Sequence, residues 1–327
     1  MISPGSTDAE RTRLLSAALK ARSVRSFGFL DGSCLTGVLH GLPADIQKSY
    51  GLSFARGALV AALPYDTTGS PAGSRDPDYF RDEEGRPLAA LGWFARAHWY
   101  RELADILTAV SRIPDLAISD PRRMFRIAVN SRLPEKALAV AAGIGSVGRN
   151  TLILDRREGP GCVLGVLLLP FEPEVPEGAR GPGFLSPDSA VPGAECGDCR
   201  ECVRACPTGA VREEGGIDRS KCLQHWAGAE GPVPSRIAAV WRGSLYGCDL
   251  CLAACPRFRP GIRREASTGR LGRGMDPDRL LGSDDAEIRR LLRGTALGLS
   301  WLSPDSIRRN ARLARDSWEI NKKTAQI

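Results

Sequence analysis

The sequence predicts a mixed α/β domain, followed by a cysteine-rich module and a helical C-terminal region. Apolar runs of strand length alternate with helical patterns in the first half, eight of the ten cysteines lie between residues 196 and 255, and two capped helical patterns close the chain. A chain of 327 residues is long enough for two or three domains of ~100–200 residues each. We expect the α/β domain at residues 1–171, a Pro/Gly-rich linking loop at 172–195, the cysteine-rich module at 196–256 and the basic helical region at 257–327.

The elements of the first region follow from capping and apolar spacing. Thr7 and Glu10 are spaced as a capping box that opens a helix. Further helices are expected from Trp99 to Val110, where apolar residues recur at helical spacing, and from Pro134 to Ala142, which begins with proline and ends at a glycine. Apolar runs predict strands at Ala58–Leu63, Phe125–Val129, Thr151–Asp155 and Val163–Leu169. The C-terminal helices are expected around Asp284–Arg293 and Pro304–Trp318.

Composition and charge indicate a globular protein with a basic balance. The chain is 43% apolar and 25% charged, with a net charge of +7. Charged residues from Asp8 to Arg13 interrupt the apolar run that a signal peptide would need. The longest apolar run, Val163–Phe171, is far shorter than the ~18–20 residues of a membrane span. Cysteines at gaps of two and three residues suit metal ligation in a reducing compartment. A cytoplasmic protein that does not contact membranes is therefore expected.

The cysteine module contains two groups of closely spaced cysteines. The first runs from Cys196 to Cys206-Pro207 with the pattern Cys-x-x-Cys-x-x-Cys-x-x-x-Cys-Pro. In this bacterial ferredoxin run three thiolates hold one [4Fe-4S] cluster and the fourth cysteine binds the other cluster. The second group is Cys222 together with Cys248-x-x-Cys251-x-x-x-Cys255-Pro256, where Cys222 replaces the missing early ligand. The same crossing predicts one cluster on Cys196, Cys199, Cys202 and Cys255, and the other on Cys206, Cys222, Cys248 and Cys251.

Zinc sites are the alternative, because Cys-x-x-Cys pairs also build zinc ribbons. Three cysteines within seven residues, together with two Cys-Pro pairs, favour iron–sulfur clusters over zinc. A glycine motif at residues 143–148 also matches the dinucleotide pattern G-x-G-x-x-G. That function requires a strand before the motif and a helix after it, whereas here the order is reversed. We interpret the motif as a tight helix-to-strand turn rather than as a dinucleotide site.

Several motifs together resemble the epoxyqueuosine reductase family. They occur in order from about Arg56 to Pro256, with a further match at Arg309-Asn310-Ala311. Besides the cysteine groups they are Ala55-Arg56, Phe94-Ala95-Arg96, Val129-Asn130-Ser131, Pro134-Glu135, Ala142-Gly143-Ile144-Gly145, Gly148-Arg149-Asn150-Thr151-Leu152-Ile153 and Tyr246-Gly247-Cys248-Asp249. The resemblance implies a reductive-dehalogenase-like α/β cobalamin domain with an inserted or appended two-cluster ferredoxin-like module. It also implies an oxidoreductase that reduces epoxyqueuosine in tRNA to queuosine.

The resemblance further implies a path for electrons and a set of cofactor contacts. Electrons would pass from an external donor such as flavodoxin or ferredoxin through the clusters to a base-off cobalamin held between the α/β domain and the cysteine module. Corrin contacts are implied at Arg56, Asn130, Leu154, Gly165, Gln224 and Asp249. No histidine lies in a recognisable lower-ligand motif, so we expect none from the protein on the cobalt.

Four positions depart from the family pattern. The presumed proton donor of the family is an aspartate in Val-Asp-Ser, and here that position is Asn130, whose amide cannot titrate as a general acid. The family's Asp and His of Arg-x-Asp-Tyr-His are replaced by Trp99 and Arg101, and its Gly-Trp turn is Gly145-Ser146. Because Asn130 occupies the position of the family's presumed proton donor, it is the catalytic candidate. The substrate would be epoxyqueuosine-tRNA or a related molecule.

The charge of the C-terminal region bears on the partner. Residues 261–327 contain 14 Lys/Arg and 9 Asp/Glu, and Arg308, Arg312 and Arg315 fall on one helical face. Such a face is suited to a phosphate backbone and predicts tRNA binding, while the alternative is a solvated helix surface. Two other functions stay open: a noncatalytic ferredoxin-like electron carrier, and a corrinoid reductase with a different substrate.

Overall fold

The computed structural model describes residues 6–69, 71–73, 81–82, 84–175, 191–262, 264–298 and 301–324. The helices are α1 Asp8–Ala21, α2 Gly32–Leu39, α3 Ala44–Ser49, α4 Trp99–Ser111, α5 Pro121–Met124, α6 Glu135–Ala141, α7 Glu201–Ala205, α8 Leu223–Gly228, α9 Ser235–Ala238, α10 Leu250–Ala253, α11 Pro277–Gly282, α12 Asp285–Leu292 and α13 Pro304–Thr324. The strands are β1 Ser26–Asp31, β2 Gly57–Pro64, β3 Ala89–Leu91, β4 Arg126–Val129, β5 Gly145–Val147, β6 Ile153–Asp155, β7 Cys162–Leu169, β8 Ser244–Tyr246 and β9 Gly274–Met275.

The expected mixture of helices and strands is confirmed, and most predicted elements are present. The capping box forms, because the Glu10 N–H donates to Thr7 Oγ1 at 3.2 Å and the Thr7 N–H donates to Glu10 Oε2 at 2.9 Å. The strand predicted from Thr151 begins only at Ile153, because Thr151 adopts a left-handed backbone with φ of 63°. The helix predicted to end at Trp318 continues to Thr324.

Contacts divide the chain into two compact units. Unit 1 is Met1–Pro64, Tyr100–Gly148 and Ile153–Glu195, and unit 2 is Tyr65–Trp99, Arg149–Leu152 and Cys196–Ile327. Unit 2 thus contains two segments from the first 171 residues. The division into regions 1–171, 172–195, 196–256 and 257–327 stays a prediction, and residues 176–190 of the expected linking loop lie outside the described residues.

Unit 1 is built on a four-stranded sheet with the order β1-β2-β7-β4, in which all neighbouring strands are antiparallel. The two central strands are apolar along nearly their whole length because they are covered on both faces. Val60 and Val166 lie in a buried cluster that includes residues of α2 and α6. A Cβ at Gly28 would lie 2.0 Å from the Ala142 carbonyl oxygen, so the end of α6 approaches β1 too closely for any side chain there.

Unit 2 has a three-stranded sheet with the order β8-β3-β9. The β8 strand is parallel to β3, and β9 is antiparallel to it. Its core gathers α8, α9 and the C-terminal helices around buried Trp241 and Leu245. Asn310, fully buried on α13, donates to the carbonyls of Ala227 and Leu245 at 2.9 Å each, and so ties this helix to α8 and β8. Within the described residues, no helix is long and apolar enough to cross a membrane.

Candidate iron–sulfur and cofactor site

The first cysteine group is positioned by short helical elements of unit 2. Cys196 ends a 3-10 turn, Cys202 lies inside α7, and Cys206 ends that helix with extended backbone, as expected for a residue before proline. The pKa of Cys202 is raised by burial and then by the neighbouring thiols of Cys196, Cys255 and Cys199. Cys255 comes from the second group, so the fold brings the four cysteines predicted for one cluster together.

The second cysteine group gathers in the same way. Cys222 is the residue before α8, and Cys251 lies in α10. Burial raises the pKa of Cys248 to about 12, with further contributions from Asp249, Cys222 and Cys206. The pKa of Cys251 is raised by burial and then by Cys248, Cys222 and Cys206, with a smaller effect from Cys202 of the first group. Iron binds the deprotonated thiol, and its positive charge would offset the repulsion between neighbouring thiolates.

Backbone and hydroxyl groups face some of these sulfurs. The Ala210 N–H donates to Cys206 Sγ at 3.2 Å, and Thr208 Oγ1 lies 3.4 Å from the same sulfur. Burial acts to raise the pKa of Cys206, but hydrogen bonds from Thr208, Val211 and Ala210 outweigh it and lower that pKa. Hydrogen bonds to cluster sulfurs are one of the factors that set the potential of an iron–sulfur centre.

No three His, Cys, Asp or Glu side chains among the described residues are arranged to hold a single metal ion. A four-iron cluster is wider than one ion, so thiols that surround a cluster stand further apart than the ligands of zinc.

Gln224 and Asp249 lie close in sequence to the cysteines of unit 2. Their side-chain oxygens differ in whether they accept hydrogen bonds. Gln224 Oε1 is buried and accepts no hydrogen bond from the described residues. In contrast, Asp249 Oδ2 accepts from the N–H groups of Ala72 and Trp93, both at 3.0 Å. Burial raises the pKa of Asp249 to about 6, against the opposing effect of these two N–H groups. Asp249 therefore fixes local backbone, while Gln224 has an acceptor to offer.

Asn130 lies at the end of β4 in unit 1. It is exposed and has a left-handed backbone with φ of 51°, a conformation in which asparagine is enriched. Glu135 at the start of α6 accepts from the Ser131 N–H at 2.8 Å and so holds the loop that follows Asn130. Burial raises the pKa of Glu135, while hydrogen bonds from Ser131 oppose that change. Sequence reasoning named Glu135 only as part of a motif and missed this carboxyl near the catalytic candidate.

The other implied corrin contacts in unit 1 are separated along its strands. Arg56 is exposed and precedes β2, and its N–H donates to the Leu169 carbonyl at 2.8 Å. Leu154 is buried in the β5–β6 hairpin. Gly165 pairs with Val129, and a Cβ there would lie 2.8 Å from Leu103 Cδ2. Packing inside unit 1 therefore accounts for this glycine, and the implied corrin contact stays a prediction.

Two of the four departures from the family pattern, Trp99 and Arg101, have clear local roles. Trp99 is 1% exposed, and its indole N–H donates to the Trp93 carbonyl at 3.3 Å, so it is a core residue of unit 2. Arg101 is exposed and pairs with Asp105 one turn along α4. Ser146 Oγ is buried and makes no hydrogen bond within the described part of the chain.

The glycine motif has the local structure expected for a turn. The α6 helix ends before it, Gly143 has φ of 73°, and β5 starts at Gly145 inside the motif. The prediction of a helix before the motif and strand after it is confirmed.

The arginine face of α13 is already partly paired. Arg308 forms ion pairs with Asp285 and Asp305, and Arg315 pairs with Asp278 at 3.3 Å. These aspartates would compete with phosphate for the same guanidinium groups. Arg312 on the same face is exposed.

Comparison with known proteins defines the class of the site. Residues 195–257 match the family model described as a 4Fe-4S double cluster binding domain. Together with the eight gathered cysteines, this match makes the chain a double-[4Fe-4S]-cluster protein. An epoxyqueuosine reductase of Gloeobacter violaceus is 33% identical over 282 residues, covering 83% of this chain and 78% of the relative. The chain therefore belongs to the epoxyqueuosine reductase family.

Other relatives place limits on this comparison. An epoxyqueuosine reductase of Staphylococcus aureus is 34% identical over 185 residues, covering 53% of this chain and 43% of the relative. The chain thus spans less than half the length of that relative. A crystal structure of an epoxyqueuosine reductase with an epoxyqueuosine-modified stem loop of tRNA-Tyr has a TM-score of 0.66 and 23% identity, over 94% of this chain and 81% of the other. At this identity the likeness shows the shared fold.

Proposed function

We propose that this protein is a cobalamin-dependent oxidoreductase that reduces epoxyqueuosine in tRNA to queuosine. The observation that carries the proposal is the 4Fe-4S double cluster binding domain, with its eight closely spaced cysteines, in a chain that belongs to the epoxyqueuosine reductase family. A tRNA substrate and reduced thiols both fit a cytoplasmic setting.

The cysteines of the two sets have distinct assignments. We assign Cys196, Cys199, Cys202 and Cys255 to the first cluster, and Cys206, Cys222, Cys248 and Cys251 to the second. The electrostatic neighbours of Cys202 are three members of the first set, and those of Cys248 include two members of the second. The two clusters receive electrons from an external donor such as flavodoxin or ferredoxin.

The chain has groups suited to the amide-rich edge of a corrin ring. Gln224 Oε1 is a buried acceptor that the described residues leave without a donor, and the side-chain amides of cobalamin are donors of that kind. On the resemblance to the family, we also propose contacts at Arg56, Asn130, Leu154, Gly165 and Asp249. When bound, cobalamin supplies the reduced cobalt that the removal of the epoxide oxygen requires.

Asn130 orients the substrate oxygen or a water molecule through its amide. An amide does not titrate near neutral pH, so the proton that the reduction consumes must come from water or from another group. Glu135 is the carboxyl closest along the chain, and its raised pKa favours the protonated form that a donor needs.

We propose tRNA as the partner, because a structural neighbour was crystallised with an epoxyqueuosine-modified stem loop. The basic C-terminal region supports the same proposal, although Arg308 and Arg315 already pair with aspartates. Arg312 is the residue of that face with the most direct access to phosphate.

Turnover of epoxyqueuosine-tRNA by the cluster-loaded, cobalamin-supplemented protein tests the proposal. Nucleoside mass spectrometry should detect queuosine that depends on both the reductant and cobalamin. Queuosine formation without cobalamin would contradict the mechanism. Clusters that accept and pass electrons to a partner protein, with no corrinoid bound and no queuosine formed, would favour the electron-carrier alternative.

A further inference from the structure

A four-residue segment from outside the cysteine motifs contacts both cysteine groups in unit 2. Residues Arg149–Leu152 belong to this unit, although the first cysteine of the motifs comes 47 positions after Arg149. The segment is held in one conformation: Gly216 donates to the Arg149 carbonyl at 3.0 Å, Asn150 Oδ1 accepts from the Leu152 N–H at 3.2 Å, and Thr151 is left-handed.

Arg149 binds the loop of the first cysteine group. Its guanidinium donates to the Cys199 carbonyl at 3.1 Å, to the Gly197 carbonyl at 2.8 Å and to the Glu213 carbonyl. Its backbone N–H donates to Cys196 Sγ at 3.4 Å. The residue is 6% exposed. The guanidinium of Arg149 is buried and donates to neutral backbone carbonyls, so a nearby anion would stabilise its charge. A cluster held by four thiolates carries negative charge and would be such an anion.

Asn150 makes the corresponding contact with the second group. Its Nδ2 donates to the Cys251 carbonyl at 2.8 Å, and the residue is 4% exposed. Neighbouring residues of one segment therefore reach the backbone of one cysteine in each group.

We propose that Arg149 and Asn150 are positioning residues for the two iron–sulfur clusters, with Arg149 fixing the loop of the first and Asn150 that of the second. This inference rests on the ligand assignment proposed above. Arg149 also places a positive charge beside the first cluster. Because one-electron reduction adds negative charge to a cluster, Arg149 stabilises its reduced form and raises its midpoint potential.

A dithionite titration of the anaerobically reconstituted full chain, followed by EPR, tests this inference. Arg149→Gln should lower the equilibrium constant for one-electron reduction of one cluster about tenfold, which corresponds to 59 mV for one electron. The other cluster should keep its potential. Arg200→Gln is the matched control, because Arg200 donates to the same Gly197 and Cys199 carbonyls but its side chain is 31% exposed and paired with Glu213. It should change the constant less than twofold.

Two further variants separate charge from geometry. Arg149→Lys keeps the positive charge but loses the fork that reaches several carbonyls at once, so its potential should stay near that of the native protein while an iron chelator removes the first cluster faster. Asn150→Ala should speed chelation of the second cluster only. If Arg149→Gln holds four irons instead of about eight, the positioning role is supported, since one cluster is lost selectively.

Three results would overturn the inference: equal shifts from Arg149→Gln and Arg200→Gln, equal effects of Arg149→Gln on both clusters, or no change in potential and lability. The Cys222→Ala background, which retains only the first cluster under the assignment, separates the two proposals. In that background the Arg149 effect should persist and the Asn150 effect should vanish. If Cys222→Ala removes neither cluster, the ligand assignment is wrong, whatever Arg149 does.

Discussion

Replacing Asn130 with aspartate restores the carboxyl that the family pattern has at this position. Both residues tolerate the left-handed backbone seen at φ of 51°, and the side chain is exposed, so the substitution should leave the fold of the loop unchanged. A positioned general acid contributes ~10²–10⁴ in rate. We expect slow turnover of epoxyqueuosine-tRNA by the native protein, and a gain of that order in the Asn130→Asp variant.

The assay compares both forms under a strong reductant, with full clusters and bound cobalamin, and measures queuosine by nucleoside mass spectrometry. Asn130→Gly is the matched control, because glycine accepts the same backbone but has no side chain. Rapid turnover by the native protein with no gain from aspartate would refute the reasoning about proton supply. If Glu135→Gln then slowed the native protein, Glu135 would be the donor. Failure of every form would favour a different substrate.

Three other predictions follow from cluster ligation, buried hydrogen bonds and burial of a carboxyl. Cys222→Ala should reduce the iron content from about eight to about four per chain, whereas Cys34→Ala, which removes a buried thiol of unit 1, should leave it unchanged. Asn310→Ala leaves two buried carbonyls without donors and should lower stability by about 2–5 kcal/mol, seen as a lower urea midpoint. Glu135→Gln should flatten the pH dependence of the free energy of unfolding. Because the pKa of Glu135 is raised in the folded state, its contribution to stability is complete below pH 4.5 and is lost as the pH rises through the folded-state pKa. An unchanged pH profile in the variant would contradict this prediction.

Most of the correct sequence predictions came from two features, the cysteine spacing and the long apolar runs. Cysteine spacing predicted that residues of the two cysteine groups converge, as Cys255 does on Cys202, because ligands of one cluster must come together whatever the rest of the fold does. The central strands β2 and β7 were predicted within two residues, since a strand covered on both faces reads as a continuous apolar run.

Elements that depend on distant partners were missed. The β1 strand contains Gly28, which interrupts the apolar pattern but is required by the close approach of α6. Strands β3, β8 and β9 have only two or three residues each, too few for a periodic signal, and they pair across more than 150 positions of sequence. The inclusion of Tyr65–Trp99 in unit 2 follows from that pairing.

The contacts of Arg149 and Asn150 also could not be predicted from sequence patterns. Both residues belong to a motif that resembles the family, but nothing in their spacing indicates that they bind cysteine loops far along the chain. The signal that could have identified them is an Arg-Asn pair that lies directly after a glycine turn and directly before the strand predicted from Thr151.

Cobalamin binding is the most direct test of the proposed function. Cob(II)alamin should be titrated into anaerobically reconstituted protein that holds about eight irons, and followed by absorption and EPR. We predict saturation at one corrinoid per chain and a spectrum without nitrogen superhyperfine structure, because no protein histidine is expected on the cobalt. A nitrogen pattern from an axial imidazole would contradict that coordination, and failure of the cluster-loaded protein to bind any corrinoid would contradict the proposed function itself.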